Sequence, residues 1–157
     1  MSRLYGRARP GQRVQAAVPR NYGKNITIIG ALGIEGLSAV MTIDGATDGD
    51  VFAAYVEQVL IPTLKDKEIV VMDNLGAHRG KRIKELVEGA GAEMKFLPAY
   101  SPDLSPIEEC WSKVKTILRS KAARRREGLE EAIKEAIIAV SSDDAKGWFK
   151  HCGYAVH

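Results

Sequence analysis

The stretch VVMDNLGAHRG, residues 70–80, places a carboxylate directly after an apolar run. Residues 69–72 predict a strand that is buried on both faces, and Asp73 follows it at the edge where open α/β sheets bind their ligands. Asp73 therefore has two interpretations: a functional acid, or a residue that caps the following turn or helix. Asn74 and His78 follow closely enough to orient the carboxylate or to contact phosphate. For His78 the alternative is an ordinary histidine at a helix start.

A second candidate acid opens a predicted helix. Ser105-Pro-Ile-Glu108 has the form of a capping box, in which the Glu108 side chain would bond back to the backbone of Ser105. One face of this helix also carries, at positions i, i+4, i+7 and i+11, the residues Glu108, Ser112, Lys115 and Arg119. An acid followed by cations suits metal ions beside a nucleic-acid backbone, because Mg²⁺ takes carboxylate oxygens and leaves positions for phosphate. The adjacent Glu109 lies on another face.

The charge distribution favours a polyanionic partner. The net charge is only +3, but residues 1–24 carry six basic side chains and no acid, and residues 113–126 carry seven and no acid. Such runs are either solvated faces or, when two occur in one small domain, contacts for a phosphate backbone.

Length and composition predict one globular domain. A chain of 157 residues with 45% hydrophobic residues can build one sizeable core. No apolar run has the length of a membrane span or the form of a secretory signal, which favours the cytoplasm. Cys110 and Cys152 lack metal-ligand spacing, and we expect free buried thiols.

The hydrophobic periodicity predicts a mixed sheet flanked by helices, an α/β fold. Strands at 26–33 and 37–43 form an antiparallel hairpin, and a helix opens at Thr47 with a capping box to Asp50 and runs to Pro62. A strand at 68–72, a helix at 80–88 and a strand at 93–97 follow. From Pro106 to the end the pattern is helical, and Trp111 belongs to an apolar stripe of the first of these helices.

Two motifs carry a resemblance to a known family. VVMDNLGAHRGKRIKEL followed by FLPAYSPDLSPIEECWSKVK resembles the catalytic domain of mariner-type transposases, in particular their bacterial insertion-sequence branch. Asp73, Asn74 and His78 match the family's Asp-Asn-x-x-x-His pattern. Residues 105–108 with Trp111 match its Ser/Asn-Pro-Ile-Glu-x-x-Trp pattern. Between Asp73 and Glu108 lie 34 residues, the interval typical of the superfamily, and the resemblance covers essentially the whole chain.

The resemblance implies a ribonuclease H-like fold, an Asp-Asp-Glu triad and two Mg²⁺ or Mn²⁺ ions. It implies that Asp73 and Glu108 are catalytic metal ligands. Asn74 and His78 would then orient Asp73 or contact phosphate. Tyr100 and the proline-rich loop around it are expected to position Glu108 rather than to react. The expected DNA contacts, for which a solvated basic face is the alternative, are Arg79, Lys81, Arg82, Lys113, Lys115 and Arg119.

One part of the family pattern has no match here. The family's first Asp lies on a strand ahead of the segment RLYGRARPGQRV, and its helix-turn-helix region lies further upstream. Residues 1–157 are therefore expected to form a single catalytic domain whose first strand is missing or incomplete. Candidate replacements follow the hairpin, on an element other than the family's first strand: Asp44, Asp48 and Asp50.

The implied activity is metal-dependent DNA cleavage at transposon ends, followed by strand transfer. In-line phosphoryl transfer needs positioning and charge neutralisation rather than a protein nucleophile. The expected partners are DNA ends, target DNA and further copies of the chain, in the cytoplasm with the nucleoid. Two alternatives stay open: a non-catalytic DNA-binding or assembly fragment of a decayed or split transposase, and a nuclease that cleaves RNA:DNA hybrids.

Overall fold

The computed structural model describes residues 5–15, 25–123 and 125–156. The elements in these ranges are β1 (Ile26–Gly33), β2 (Gly36–Asp44), α1 (Gly49–Tyr55), β3 (Ile69–Met72), α2 (Lys81–Gly89), β4 (Glu93–Phe96), α3 (Pro106–Lys121), α4 (Arg126–Ile138) and α5 (Ser142–His151). Their order and type confirm the prediction from the hydrophobic periodicity. None of the helices in these ranges has the length and apolar character that a membrane crossing requires.

A bulge in the β1–β2 hairpin decides which side chains each face presents. The antiparallel register pairs Ile29 with Met41 but Leu32 with Leu37, so β2 has one residue more than β1 between these pairs. Ala39 in this interval takes a left-handed backbone with φ 46°. An extra residue exchanges the faces of a strand. As a result, Met41 packs on one side of the hairpin and Leu37 on the other.

The second sheet is the parallel pair of β3 and β4, in which Ile69 pairs with Glu93 and Met72 with Phe96. Antiparallel and parallel pairing are thus both present, but among the described residues no ladder joins the two sheets. The prediction that β3 is buried on both faces is wrong. Met72 is buried, whereas Ile69 and Val71 on the other face are 52% and 44% exposed. The apolar run indicated a strand but not how many of its faces are covered.

The N-cap of helix α1 lies one residue later than predicted. Asp48, not Thr47, is the N-cap, and its carboxylate accepts a hydrogen bond of 2.9 Å from the Val51 backbone N–H. Both residues are good caps, and the aspartate takes the role here. The helical path continues through a π-helical stretch at Val56–Leu60 and a 3₁₀ turn at Ile61–Thr63, so the expected helical region up to Pro62 is confirmed.

Two hydrophobic clusters lie on opposite sides of the hairpin. The first core joins α1, the π-helical stretch, β3 and α2, and its most buried members are Ala53, Tyr55, Val56, Ile83 and Val87. The second core joins α3 and α4, and its members are Cys110, Val114, Leu118, Ala132, Ile133, Ala136 and Val140. Half-buried residues of the hairpin pack against both cores. The hairpin therefore connects the element that carries Asp73 with the helix that carries Glu108.

Candidate active site on the β3 and α3 loops

Asp73 follows β3 and is exposed at the end of the strand. Its Oδ1 accepts a hydrogen bond of 3.0 Å from the Leu75 backbone N–H, which makes an Asx turn. The same oxygen lies 2.7 Å from Nδ1 of His78. The turn-capping interpretation of Asp73 is therefore correct as far as Oδ1 is concerned. Oδ2 makes no hydrogen bond within the described residues, and it is available to a ligand.

His78 is held in place from both sides. It ends a short 3₁₀ turn, Gly76–His78, and its ring lies against the ring of Phe52 in α1, with 4.3 Å between the centroids. The contact with Phe52 fixes the imidazole plane, and the bond to Asp73 fixes the direction of Nδ1. His78 thus connects the carboxylate to the first core.

Asn74 connects the two loops of the site. Its Nδ2 donates a hydrogen bond of 2.5 Å to the carbonyl oxygen of Leu97, which directly follows β4. Leu97 in turn donates its N–H to the Met72 carbonyl oxygen at 2.8 Å. These two bonds hold the start of the proline-rich loop beside the end of β3. Asn74 therefore positions the loop that leads to Glu108.

Glu108 lies in the first turn of α3, two residues after Pro106 at the helix start. The predicted capping box is not formed. Ser105 is the N-cap, but its side chain makes no capping bond, and the Glu108 backbone N–H donates a hydrogen bond of 3.1 Å to the Ser105 carbonyl oxygen. In the part of the chain that the structure describes, the Glu108 carboxylate has no hydrogen bond or ion pair. It is exposed and available to a ligand.

The two carboxylates line one open cavity of about 500 Å³, which we call the Asp73–Glu108 cavity. Its wall is made by three segments: residues 73–75, residues 97–102, and Ser105 with Glu108. Glu109 is not among the lining residues, which agrees with the helix phase predicted for the two adjacent glutamates. Carboxylate oxygens in an open cavity suit a hard divalent cation.

Asp73 and Glu108 are the two acidic residues that line this cavity. The described ranges contain no group of three or more His, Cys, Asp or Glu side chains placed to hold a metal ion. Two of the acids considered as replacements have other partners. Asp44 pairs with Arg126 at 2.7 Å, and Asp48 caps α1. Asp50 lies in the first turn of α1 and does not line the cavity.

The basic side chains of α3 differ in whether they already form an ion pair with an acidic side chain. Lys113 pairs with Asp144 of α5 at 2.5 Å, so it joins α3 to α5, whose Trp148 packs against the second core. Lys115 lines a second, apolar groove of about 270 Å³ between β1 and α3, roughly 10 Å along the helix from Glu108. Within the described ranges, Lys115 and the half-buried Arg119 have no acidic partner.

Three more basic residues lie at the start of α2. Lys81 and Arg82 pair with Glu85 and Glu57 at 3.3 and 3.1 Å, and all four side chains are largely exposed. Exposed pairs of this kind are weak, so the cations can exchange to a phosphate. Arg79 precedes the helix and is exposed. Four residues of the two basic runs lie outside the described residues: Arg3, Arg20, Lys24 and Arg124.

Two residues at the cavity gained importance only from the structure. Leu75 and Tyr100 line the cavity with exposed side chains, and Tyr100 has a left-handed backbone with φ 58°. From the sequence, Tyr100 was expected only to position Glu108, and no role was expected for Leu75. The feature of the sequence that could have indicated a role for Leu75 is the presence of a large apolar residue between Asn74 and Gly76, close to Asp73 and His78.

Comparison with known proteins tests the predicted fold and family. A family model described as "DDE superfamily endonuclease" matches residues 1–130. The "Transposable element Tcb2 transposase" of Caenorhabditis briggsae is 26% identical over 113 residues, which are 69% of this chain and 41% of that protein. The chain thus spans less than half the length of this relative.

Solved structures of Mos1 transposase share the fold. The Mos1 Strand Transfer Complex superimposes with a TM-score of 0.76 and 18% identity, over 96% of this chain and 47% of the Mos1 chain. The catalytic domain of Mos1 mariner transposase gives a TM-score of 0.60 and 14% identity, over 82% of this chain and 74% of that domain. The predicted ribonuclease H-like α/β fold is therefore confirmed, and the chain belongs to the DDE superfamily endonuclease family.

Proposed function

We propose that this chain is a DDE transposase catalytic domain that cleaves and joins DNA with the help of divalent metal ions. The observation that carries the proposal is that Asp73, after β3, and Glu108, in the first turn of α3, line one open cavity although 34 residues lie between them. Membership of the DDE endonuclease family supports it. So does the similarity to a Tcb2 transposase and to Mos1 complexes named for paired ends and strand transfer.

The free oxygens of the site fit a metal ion of the Mg²⁺ or Mn²⁺ type. Oδ2 of Asp73 and both oxygens of Glu108 are hard donors, and the cavity is wide enough for water and phosphate oxygens to complete the coordination. A Mos1 paired-end complex with Mn that shares this fold is consistent with that choice. We propose Asp73 and Glu108 as the metal ligands of this chain, in a site that holds two ions when complete.

When bound, such ions supply Lewis-acid activation of water and stabilise the leaving oxygen of a phosphodiester. The chain's own residues do the positioning. His78 and the Leu75 N–H hold Asp73, and Asn74 holds the loop that leads to Glu108. Among the described residues no Ser–His or Cys–His hydrogen bond provides a protein nucleophile, in agreement with direct in-line transfer.

We propose that the DNA backbone runs along α3 and past the start of α2. Lys115 and Arg119 continue the α3 face beyond Glu108, and Arg79, Lys81 and Arg82 flank the loop that follows Asp73. Lys113 is committed to Asp144, so we assign it to stability rather than to DNA contact. The DNA includes element ends and target DNA, and two copies of the chain bring two ends together. In a bacterial host the site of action is the nucleoid.

A second candidate function rests on the number of acids. The cavity is lined by two carboxylates, whereas the family triad has three, and Asp44 and Asp48 are engaged elsewhere. With a weaker hold on metal, the chain would bind DNA or assemble on it without cutting. The decisive measurement is therefore cleavage rather than binding.

The experiment combines binding and nicking with purified chain. We expect binding to duplex DNA that weakens with salt, since phosphate contacts release counterions. Mn²⁺-dependent nicking of supercoiled plasmid should fall at least about 10-fold in Asp73→Asn and in Glu108→Gln. The matched control is Glu109→Gln, which changes the adjacent acid outside the cavity. Binding without nicking would establish the second candidate, and cleavage of RNA:DNA hybrids without strand transfer would establish a ribonuclease H-like nuclease.

A further inference from the structure

The C-terminal segment is bonded to the loop that leads to Glu108. The Tyr154 hydroxyl donates a hydrogen bond of 2.8 Å to the carbonyl oxygen of Leu104, which lies 50 residues earlier in the chain. Leu104 ends the short 3₁₀ turn Pro102–Leu104 and directly precedes Ser105, the N-cap of α3. The carbonyl group that accepts this bond is therefore only one turn of chain ahead of a proposed metal ligand.

Tyr154 itself is held by the end of α5. Gly153 has φ 85°, a left-handed backbone that suits a glycine directly after a helix. Its N–H donates to the Lys150 carbonyl oxygen at 3.1 Å, and the Tyr154 N–H donates to the Phe149 carbonyl oxygen at 2.9 Å. These two bonds make a Schellman motif. The Tyr154 ring also packs edge to face on Phe149, with 5.6 Å between the centroids, so both its backbone and its ring are fixed on α5.

Helix α5 is in turn fixed on α3 at its other end. Asp144, in the first turn of α5, forms a capping box with Ser141 and pairs with Lys113 of α3. Trp148 of α5 packs against the second core. Helix α5 therefore contacts α3 through Asp144 and the residue before the N-cap of α3 through Tyr154.

The start of α3 lacks the support that a capping box would give. The Ser105 side chain makes no capping bond. The Glu108 N–H donates to the Ser105 carbonyl oxygen, whereas a regular α-helical bond would use the carbonyl oxygen of Leu104. Among the described residues, that Leu104 oxygen accepts from the Tyr154 hydroxyl and from no backbone N–H. The Tyr154 bond thus takes the place of a helix bond at the turn that carries Glu108.

We propose that Tyr154 is a positioning residue of the active site, whose hydroxyl holds the start of α3 so that the Glu108 carboxylate stays at the Asp73–Glu108 cavity. The inference rests on the proposed function and adds the C-terminal segment to that site. Tyr154 does not line the cavity, so it acts through the Leu104 carbonyl oxygen and not on a metal ion or on DNA. It also lies outside residues 1–130, the range that matches the family model.

The test compares Tyr154→Phe, which loses the hydroxyl and keeps the ring on Phe149, with the wild type. Tyr55→Phe is the matched control, because the buried Tyr55 hydroxyl has no partner among the described residues. We expect Tyr154→Phe to weaken Mn²⁺ binding about 5-fold in titration calorimetry, the factor that corresponds to the loss of one neutral hydrogen bond. Tyr55→Phe should bind Mn²⁺ as the wild type does. DNA affinity without a divalent ion should stay within about 2-fold in both variants, since the basic side chains are unchanged.

A double-mutant cycle separates the positioning of Glu108 from a general structural defect. If Tyr154 acts through Glu108, Tyr154→Phe should weaken Mn²⁺ binding about 5-fold in the Asp73→Asn background and should have no effect in the Glu108→Gln background. An equal loss in both backgrounds would indicate a structural defect and would overturn the inference.

Amide hydrogen exchange supplies a readout that needs no metal. The N–H groups of residues 107–109 should exchange about 5-fold faster in Tyr154→Phe, whereas those of α4 should match the wild type. Unchanged exchange at residues 107–109, or unchanged Mn²⁺ affinity beside a clear loss in Glu108→Gln, would overturn the inference and leave the proposed function standing. Mn²⁺ binding that does not depend on Glu108 would refute the proposed metal site, and with it the role of Tyr154 at that site.

Discussion

Asp73 and His78 form a hydrogen-bonded pair, with 2.7 Å between Oδ1 and Nδ1, and the His78 ring is itself fixed against Phe52. The first core therefore determines the direction in which a surface carboxylate points. A ligand carboxylate that is oriented in this way loses less conformational freedom when it binds a cation.

Removal of the imidazole should weaken metal binding at Asp73. We expect His78→Phe, which keeps a ring against Phe52 but loses Nδ1, to lower Mn²⁺ affinity about 10-fold, in the range seen for residues that orient metal ligands. Isothermal titration calorimetry measures this affinity. His151→Ala on α5 is the control, and an unchanged Mn²⁺ affinity in His78→Phe would show that Asp73 needs no such support.

The Asn74 side chain should hold the proline-rich loop in place. Asn74→Ala removes the 2.5 Å bond to the Leu97 carbonyl oxygen, and we expect a loss of about 1 kcal/mol in local stability. This corresponds to roughly 5-fold faster amide hydrogen exchange in residues 97–105. The control is Asn25→Ala. If the exchange rates of residues 97–105 in Asn74→Ala equal those of the wild type and of this control, the Asn74 side chain does not hold the loop.

The ion pair between α3 and α5 should make stability depend on acid pH. The hydrogen bond from Lys113, together with those from Ser141, lowers the pKa of Asp144 from 3.8 to about 2. Because the folded-state pKa lies below the unfolded value, the stabilisation is complete above about pH 5 and is lost as the pH falls toward 2. Asp144→Asn should therefore cost roughly 1 kcal/mol at pH 7 and much less at pH 2, as measured by urea unfolding at each pH.

The control for this prediction is Asp143→Asn, which changes the adjacent, exposed acid. Its unfolding free energy should follow the wild type across the pH range. A difference between Asp144→Asn and the wild type that stays constant from pH 7 to pH 2 would contradict the assigned linkage.

The Tyr55 hydroxyl should be dispensable for stability. Tyr55 is buried in the first core, and its oxygen has no hydrogen-bond partner among the described residues, while burial raises the pKa of the hydroxyl above its ordinary value. Since an unsatisfied buried polar group costs free energy, Tyr55→Phe should be neutral or should stabilise the protein by up to about 1 kcal/mol. Chemical denaturation measures the change, and a loss above about 1 kcal/mol would mean that the hydroxyl has a partner.

The two thiols should be inert in the folded protein. Burial, with a contribution from Asp144, raises the pKa of Cys110 to about 11, and burial also raises the pKa of Cys152. Few thiolates are then present at pH 8, and thiolates are the reactive form. A disulfide reagent should modify fewer than one thiol per chain under native conditions and two in denaturant. Rapid modification of both under native conditions would contradict the burial of these residues.

The order of helices and strands was predictable from the sequence because it depends on local periodicity and on turn residues. The hairpin, α2 and α3 agree with prediction to within one residue or so at their predicted ends. At the start of α1 the prediction named the wrong one of two adjacent good caps, because Thr47 and Asp48 are equivalent locally. The choice between them depends on contacts outside the helix.

The candidate metal ligands were also accessible from the sequence, because each lies in a short motif at the end of one element. Asp73 follows a strand and Glu108 lies at the start of a helix. The number of residues between them is read directly from the sequence. Their joint position in one cavity agrees with that proposal. The absence of the Ser105 capping box was not predictable, since the same four residues suit both arrangements.

Only the tertiary structure decided which residues far apart in the sequence form hydrogen bonds and ion pairs with each other. The pairs Asn74 with Leu97 and Lys113 with Asp144 are 23 and 31 residues apart, and no local pattern encodes them. The exposure of Ile69 and Tyr100 likewise depends on which elements cover them. Sequence by itself determined the elements and the acids at their ends, because these follow from neighbours along the chain. The orientation of the acids and the shape of the cavity follow from packing between segments that are far apart in sequence.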